Sequence, residues 1–294
     1  METSINCPIC QSPDHSLLTR APDYEYRSLP GDFAISQCRQ CGHGYLEEPP
    51  HPDKLPVIYP PTYYTVTVDS PLHFGDFIHR KKIARDVKRI LSFAKGRQLK
   101  SVVDMGCGEA ERLAQIGESL GGEVELLGVD FQPDYEREDE LKARGVQLVE
   151  DNIEGDLDTL RDNGHDLIVS CQTLEHLYTP DVALSTWARK LAPGGLLLVE
   201  TPNIGGLDFK LFKKSHWGFY HIPRHFHMFS RQSLRDTTEA AGLSVVKQGF
   251  IPSGSTILSL RNWFGLDSIE RGPSFWEFIS NKNIFVVGCS GVFD

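Results

Sequence analysis

Three groups of residues in this 294-residue chain have types and spacings suited to chemistry. The first is a pair of Cys-x-x-Cys knuckles, Cys7-Pro8-Ile9-Cys10 and Cys38-Arg39-Gln40-Cys41, with 27 residues between them. Four thiolates complete the tetrahedral set of Zn²⁺ and leave no position open, so a zinc ion held here would be structural. The competing reading is a redox Cys-x-x-Cys or coincidence, and two matched pairs favour metal. The second group is a glycine turn, Asp104-Met105-Gly106-Cys107-Gly108-Glu109-Ala110, which suits a ligand lying against main-chain N–H groups at a helix start. The third is His225 and His227, which alternate and share one face of an extended segment. Either can take a proton near neutral pH, or both can be structural histidines hydrogen-bonded to backbone.

These groups need elements to place them. Val102 and Val103 read as a buried strand of a parallel sheet covered on both faces, and a helix follows the glycine turn to about Leu120. A second strand, Val124 to Val129, ends at Asp130. A carboxylate there, some twenty residues past the turn, can accept both ribose hydroxyls of a nucleoside; it can also be a helix N-cap. Pro133 opens a helix through about Arg144, and the third strand, Val146 to Glu150, ends at Asp151-Asn152. The fourth, Asp166 to Cys171, runs into Gln172-Thr173-Leu174-Glu175-His176-Leu177. Ligands of open α/β sheets sit outside such carboxyl ends, so this loop should face a cofactor, with Glu175 and His176 either orienting ligand or fixing the loop. Leu196 to Glu200 is a fifth strand, Leu243 to Phe250 a sixth, and Ile284 to Cys289 can supply a seventh. A helix with basic stripe, Leu72 to Ala94, leads into this α/β unit.

Composition narrows the classes. The chain is 40% hydrophobic and 24% charged, which describes a globular protein with ample core. A net charge of −10 argues against a large nucleic-acid footprint. No apolar run reaches bilayer length and the N-terminus is no signal peptide, so a cytoplasmic location is expected, with seven cysteines reduced or metal-bound. Residues 47–71 hold seven prolines and read as an extended connector. Tyr59, Tyr63 and Tyr64 within it either cover a domain junction or form a lid. Trp263, Phe264, Phe275, Trp276 and Phe278 read equally as acceptor pocket, partner surface or core.

The glycine turn is not the dinucleotide fingerprint, because Glu111 stands where a third small residue is needed. Asp104-x-Gly106-x-Gly108-x-Ala110 instead resembles motif I of class I S-adenosylmethionine-dependent methyltransferases. Glu175-His176-Leu177 resembles the motif of methyltransferases related to ubiquinone biosynthesis, and Leu191-Ala192-Pro193-Gly194-Gly195 is a further join of that family. Pro223-x-His225-x-His227-x-Phe229-Ser230 resembles a motif of bacterial methyltransferases acting on sugars, lipids and secondary metabolites. A zinc module ahead of such a domain resembles sugar methyltransferases, including C-methyltransferases of nucleotide-linked deoxysugars.

The resemblance implies an α/β, Rossmann-like seven-stranded class I sheet with a small N-terminal zinc module. Its expected parts are a module over 1–48, a linker over 49–71 and a methyltransferase domain over 72–294 with insertions at about 204–230 and 251–283. It assigns S-adenosylmethionine contacts to Asp104, Gly106, Cys107, Gly108, Asp130, Phe131, Asp151, Asn152, Gln172 and Glu175. Cys7, Cys10, Cys38 and Cys41 would hold zinc, and His225, His227 and His176 are the candidate catalytic residues. The implied reaction is O-methylation of a sugar or secondary-metabolite hydroxyl with a His base. C-methylation of a nucleotide-linked deoxysugar is the alternative; an RNA methyltransferase or a non-catalytic cofactor-binding scaffold are readings of other classes. The expected partner is a small-molecule acceptor; oligomeric state stays open.

Overall fold

The computed structural model describes residues 6–59, 74–212, 216–252, 259–260, 263–264 and 282–290. Tyr63, Tyr64, Phe275, Trp276 and Phe278, singled out above, lie outside these. The chain divides into two compact units, one of Met1–Asp76, Thr201–Leu234 and Phe250–Ile284, the other of Phe77–Glu200, Arg235–Gly249 and Phe285–Asp294.

The first unit is built on a four-stranded sheet. Strands β1 (His15–Ala21), β2 (Phe33–Cys38) and β3 (Gly44–Leu46) form an antiparallel meander. The proline-rich stretch, expected as an extended connector, is mostly exposed where it is described and holds two short helical turns. Pro52–Lys54 is a 3-10 turn and α1 (Leu55–Ile58) a single helical turn with Ile58 buried. Proline at the first helical positions, where its missing N–H is not needed, explains how this density of proline permits helix. The fourth strand comes from the insertion expected at about 204–230. There, after α6 (Leu207–Phe212), β9 (His227–Met228) pairs with β3 through Tyr45 and His227.

The second unit is the α/β sheet. It begins within α2 (Phe74–Phe93), which buries Ile83, Val87 and Ile90. Strand β4 (Ser101–Met105) is buried at all five positions and sits centrally, parallel to β5 (Glu125–Asp130) on one side and β7 (His165–Cys171) on the other. Strand β6 (Val146–Glu150) extends one edge and β8 (Leu191–Thr201) the other, both parallel. With β10 (Ser244–Pro252) and β11 (Lys282–Cys289) the order is β10-β11-β8-β7-β4-β5-β6. Helices α3 (Glu111–Leu120), α4 (Glu138–Ala143), α5 (Pro180–Lys190) and α7 (Arg231–Ala240) connect the strands. The chain moves outward from β4 to β6, then crosses back to β7. That reversal makes the carboxyl ends of β4 and β7 the switch point where open α/β sheets bind ligands.

Candidate functional site

The glycine turn leaves β4 at this switch point. Gly106 and Gly108 have φ of +70° and +51°, and Ala110, before α3, has +52°. A Cβ on Gly106 would collide with the Thr173 side chain, whose hydroxyl donates to the Met105 carbonyl at 3.1 Å. Gly108 faces open space, with no heavy atom within 4 Å of where a Cβ would stand. Its N–H donates to Asp130 Oδ2 at 3.1 Å, while Oδ1 accepts from Gln132 N–H at 3.2 Å. Asp130 thus fixes the turn from the end of β5, and Phe131 beside it is half exposed.

Asp104 is fully buried behind the turn, and neither carboxylate oxygen accepts a hydrogen bond. Arg112 Nη1 lies 3.5 Å from Oδ2. Burial pushes the Asp104 carboxyl up to about 6 against the pull of Arg112. Cys107 packs against Gly128, and burial beside Asp104 and Asp130 drives its thiol upward, so it stays protonated and is no nucleophile.

The other strand ends converge on the same region of this unit. Asp151 N–H donates to the Asp130 carbonyl at 3.1 Å. The Asp151 carboxylate accepts from Asn152 N–H at 2.7 Å and from the Thr159 hydroxyl, and Asn152 Oδ1 accepts from Glu154 N–H at 3.0 Å, so both side chains shape their own loop. Gln172 is left-handed, with φ +60°, and its N–H donates to the Glu200 carbonyl at 2.8 Å. Glu175, fully buried, and His176 lie in a 3-10 turn, Leu174–His176. Non-glycine residues in the left-handed region persist only where their surroundings over-determine them, and such strain gathers at ligand sites. Sequence reasoning missed Thr173 and Arg112. A threonine next to Gln172 and an arginine in the first turn of α3 carry no signal until the fold brings them to Gly106 and Asp104.

The first unit holds the other two groups. Cys7, Cys10, Cys38 and Cys41 have Sγ atoms all within 4.8 Å of one another, with Cys7–Cys41 at 3.7 Å and Cys10–Cys38 at 3.5 Å. Metal–sulfur arms of about 2.3 Å in a tetrahedron set sulfur–sulfur edges near 3.8 Å, so the four thiols are already spaced for Zn²⁺. The residue after each knuckle, Gln11 or Gly42, is left-handed (φ +60° and +72°), and its N–H returns to the carbonyl of the first cysteine, Cys7 or Cys38. The shared Cys7–Cys41 contact lowers the Cys7 thiol to about 5 and raises that of Cys41.

His227 is buried, and its Nδ1 lies 3.0 Å from Nε2 of the equally buried His43. His225 is also buried, with Nδ1 2.8 Å from the Phe219 carbonyl. A carbonyl accepts only, so Nδ1 carries the proton and Nε2 is the basic nitrogen of the neutral ring. Arg224, between these elements and fully buried, places its guanidinium on the Asp23 carboxylate and the Ile58 carbonyl. Ser230 caps α7: its hydroxyl accepts from Ser233 N–H at 3.0 Å, and Ser233 Oγ accepts from Ser230 N–H at 2.9 Å.

Residues 77–248 match a family model described as a methyltransferase domain. A curated relative, an uncharacterized 37.1 kDa protein in transposon TN4556 of Streptomyces fradiae, is 27% identical over 139 residues, 46% of this chain and 40% of that protein. The chain therefore matches less than half the length of that relative. Among solved structures, 1,6-didemethyltoxoflavin-N1-methyltransferase of Burkholderia thailandensis, with bound 1,6-didemethyltoxoflavin and S-adenosylhomocysteine, is similar at TM-score 0.53 and 14% identity, over 90% of this chain and 98% of that one. A SAM-dependent methyltransferase from Archaeoglobus fulgidus is similar at TM-score 0.51 and 19% identity, over 72% and 94%. At these identities the likeness is one of fold.

Proposed function

Because the chain belongs to the methyltransferase-domain family, we propose that it is an S-adenosylmethionine-dependent methyltransferase that methylates a hydroxyl of a small molecule of the sugar or secondary-metabolite type, with His225 as general base. The observation that carries the base assignment is the Nδ1–H to Phe219 carbonyl contact at 2.8 Å, which puts the proton-accepting lone pair on Nε2. His227, bound to His43, holds the neighbouring strand, and His176 serves the loop after β7.

The residues of the glycine turn fit the donor. Asp104 is a buried carboxylate that accepts no hydrogen bond, and the space before Gly108 is open. Asp130 would accept ribose hydroxyls, the Gly106–Gly108 turn would take the main-chain contacts, and Asp104 would face the positive end of the molecule. Cys107, Phe131, Asp151, Asn152, Gln172 and Glu175 complete the proposed wall. When bound, S-adenosylmethionine supplies an activated methyl group to an attacking oxygen. His225 removes the hydroxyl proton as that oxygen becomes a nucleophile, an effect worth typically 10²–10⁴-fold.

Zinc on the four cysteines is part of the same proposal, as a structural ion that replaces the core a segment this short lacks. The relatives' substrates bear on the acceptor only by analogy: one solved neighbour is a 1,6-didemethyltoxoflavin-N1-methyltransferase. Labelled-methyl transfer to catechol, methyl α-D-glucopyranoside and dTDP-glucose tests the reading. A His225→Gln variant should lose about 10²-fold or more in turnover with S-adenosylhomocysteine affinity unchanged. Wild-type turnover in that variant overturns the base; transfer to a carbon or nitrogen alone overturns O-methylation.

A further inference from the structure

Ala110 closes the glycine turn in the left-handed region, with φ +52° and ψ +13°, and is the N-cap of α3. A Cβ in that conformation presses on the following carbonyl, which disfavours alanine there by roughly 5- to 30-fold. Its methyl side chain offers no capping hydrogen bond. Its N–H donates to the Cys107 carbonyl at 2.9 Å, and its carbonyl accepts from Ala114 N–H at 3.0 Å. Both backbone groups are thus committed to the strained conformation. Such strain persists only where the surroundings over-determine it.

The residues on both sides of Ala110 are gripped from α4. Glu111, whose size breaks the dinucleotide fingerprint, is the first residue of α3. Its carboxylate accepts both prongs of the Arg144 guanidinium, Nη1 to Oε2 at 2.7 Å and Nη2 to Oε1 at 3.1 Å. Arg137 Nη2 lies 3.4 Å from Oε2, and Gln115 Nε2, one turn along α3, donates to Oε1 at 2.9 Å. On the other side, Arg137 Nη1 donates to the Glu109 carbonyl at 3.4 Å and stands 3.7 Å from the Glu109 carboxylate. Two more acids hold the arginines themselves. Arg137 Nη2 is 2.8 Å from Glu140, and Arg144 Nε is 2.8 Å from Glu118.

Isolated surface ion pairs contribute little, because two long side chains must be ordered for a screened attraction. This network differs in geometry. The side chains of Glu111, Arg144 and Arg137 are only 21%, 22% and 28% exposed, and the Arg144 fork is bidentate. Hydrogen bonding from Arg144 holds the Glu111 carboxyl down at about 2 against its partial burial, so the carboxylate stays charged near neutral pH. Arg137 and Arg144 stand at the two ends of α4, which ties that helix to the start of α3. The connection that brings Arg137 leaves β5 at Asp130, whose carboxylate holds Gly108 N–H. The chain after β5 therefore fixes the turn at Gly108, Glu109 and Glu111, on both sides of Ala110.

We propose that Glu111, clamped by Arg144 and Arg137, is a positioning residue for the methyl donor: it holds Ala110 left-handed and so presets the Gly106–Gly108 main chain and Asp130. This rests on the donor-site reading above and adds the side chains that keep the empty turn in its binding conformation. Glycine adopts the same φ without strain. The clamp should therefore matter only while position 110 carries a Cβ.

The test is a double-mutant cycle on the full chain, read by titration calorimetry with S-adenosylhomocysteine. Glu111→Ala should weaken binding by about 10-fold, the scale of the left-handed strain, and Arg144→Leu should weaken it in the same direction. In the Ala110→Gly background, each replacement should change affinity by less than about 3-fold relative to Ala110→Gly alone. Rescue of this kind separates positioning from a merely structural network, which would cost the same in both backgrounds. Unfolding midpoints taken alongside establish that every variant is folded at the titration temperature. Equal losses in the two backgrounds, or wild-type affinity in Glu111→Ala, overturn the proposal. Failure of the donor-site reading shows differently, as no binding of S-adenosylhomocysteine by the wild type; a chain that binds it but shows no rescue fails only the clamp.

Discussion

His43 Nε2 and His227 Nδ1 lie 3.0 Å apart with both side chains buried, so an imidazole–imidazole hydrogen bond joins the cysteine module to the histidine-rich segment inside the first unit. His43 Nδ1 stands 3.4 Å from the Ser233 hydroxyl, which extends the chain to the start of α7. Alongside, β3 and β9 pair through Tyr45 and His227. Truncating one imidazole removes this bond from the facing nitrogen of the other, and a buried polar atom that loses its bond costs about 1–3 kcal/mol. His43→Ala and His227→Ala should each lower the unfolding midpoint, and the double variant should fall short of their sum. A double-mutant cycle from chemical denaturation checks this. Additive losses would mean that the contact contributes nothing as a pair.

Asp104 predicts a pH dependence. Its folded-state carboxyl sits at about 6 against an ordinary value of 3.8, because it is buried, with Arg112 only partly offsetting that. An acid whose folded value is raised binds its proton more tightly in the folded protein. Its contribution is therefore present at low pH and lost as pH rises from about 4 to about 6, a difference of about 3 kcal/mol. Stability of the wild type minus that of Asp104→Asn should fall across this window and level off above it. A flat difference curve from urea unfolding at pH 4 to 8 would refute the raised value.

The sheet was legible in the sequence for physical reasons. Apolar runs such as Val102–Val103 and Leu196–Val199 mark strands buried on both faces, and glycine or proline punctuates their ends. Strand β6 spans Val146–Glu150 as expected, and the other strands shift by a residue or two, except β8, which starts earlier at Leu191. Local chemistry also forecast the cysteine cluster, because a knuckle is set within four residues. What the sequence could not show is pairing between side chains far apart in the chain. Thr173 against Gly106, Arg112 beside Asp104, His43 on His227 and Glu25 on His221 are each fixed by tertiary geometry, with no periodicity to announce them. In the proline-rich stretch only the helical turns over 52–58 went unseen, since proline at a helix start looks the same in sequence as proline in a connector.

The glycine turn makes unequal demands at its two glycines. At Gly106 both the φ of +70° and the Thr173 side chain exclude a Cβ, whereas at Gly108 only the φ of +51° does. Gly106→Ala should therefore abolish cofactor binding and lower stability, and Gly108→Ala should keep the fold with weaker binding. Asp130→Ala removes the acceptor that holds Gly108 N–H and the proposed ribose contact together. Loss of a hydrogen bond to a charged group, about 1.5–3 kcal/mol, corresponds to roughly 10- to 150-fold in affinity. Titration calorimetry with S-adenosylhomocysteine measures all three. Wild-type affinity in Asp130→Ala would remove that residue from the donor site.

Metal removal should separate the two units functionally. The cysteine module has few buried apolar groups of its own around Cys7, Cys38 and Tyr45, so the proposed ion would supply much of its folding free energy. Metal analysis of the purified chain should give one zinc per chain, and a strong chelator or Cys38→Ser should release it. Without the ion, β1 to β3 lose their anchor, and the Glu25–His221 and His43–His227 contacts go with them. The glycine turn, Asp104 and Asp130 all belong to the other unit. The apo chain should therefore still bind S-adenosylhomocysteine while methyl transfer is lost, and limited proteolysis should cut first within residues 11–37. If chelation strips zinc and transfer continues at the wild-type rate, the module is dispensable for methyl transfer.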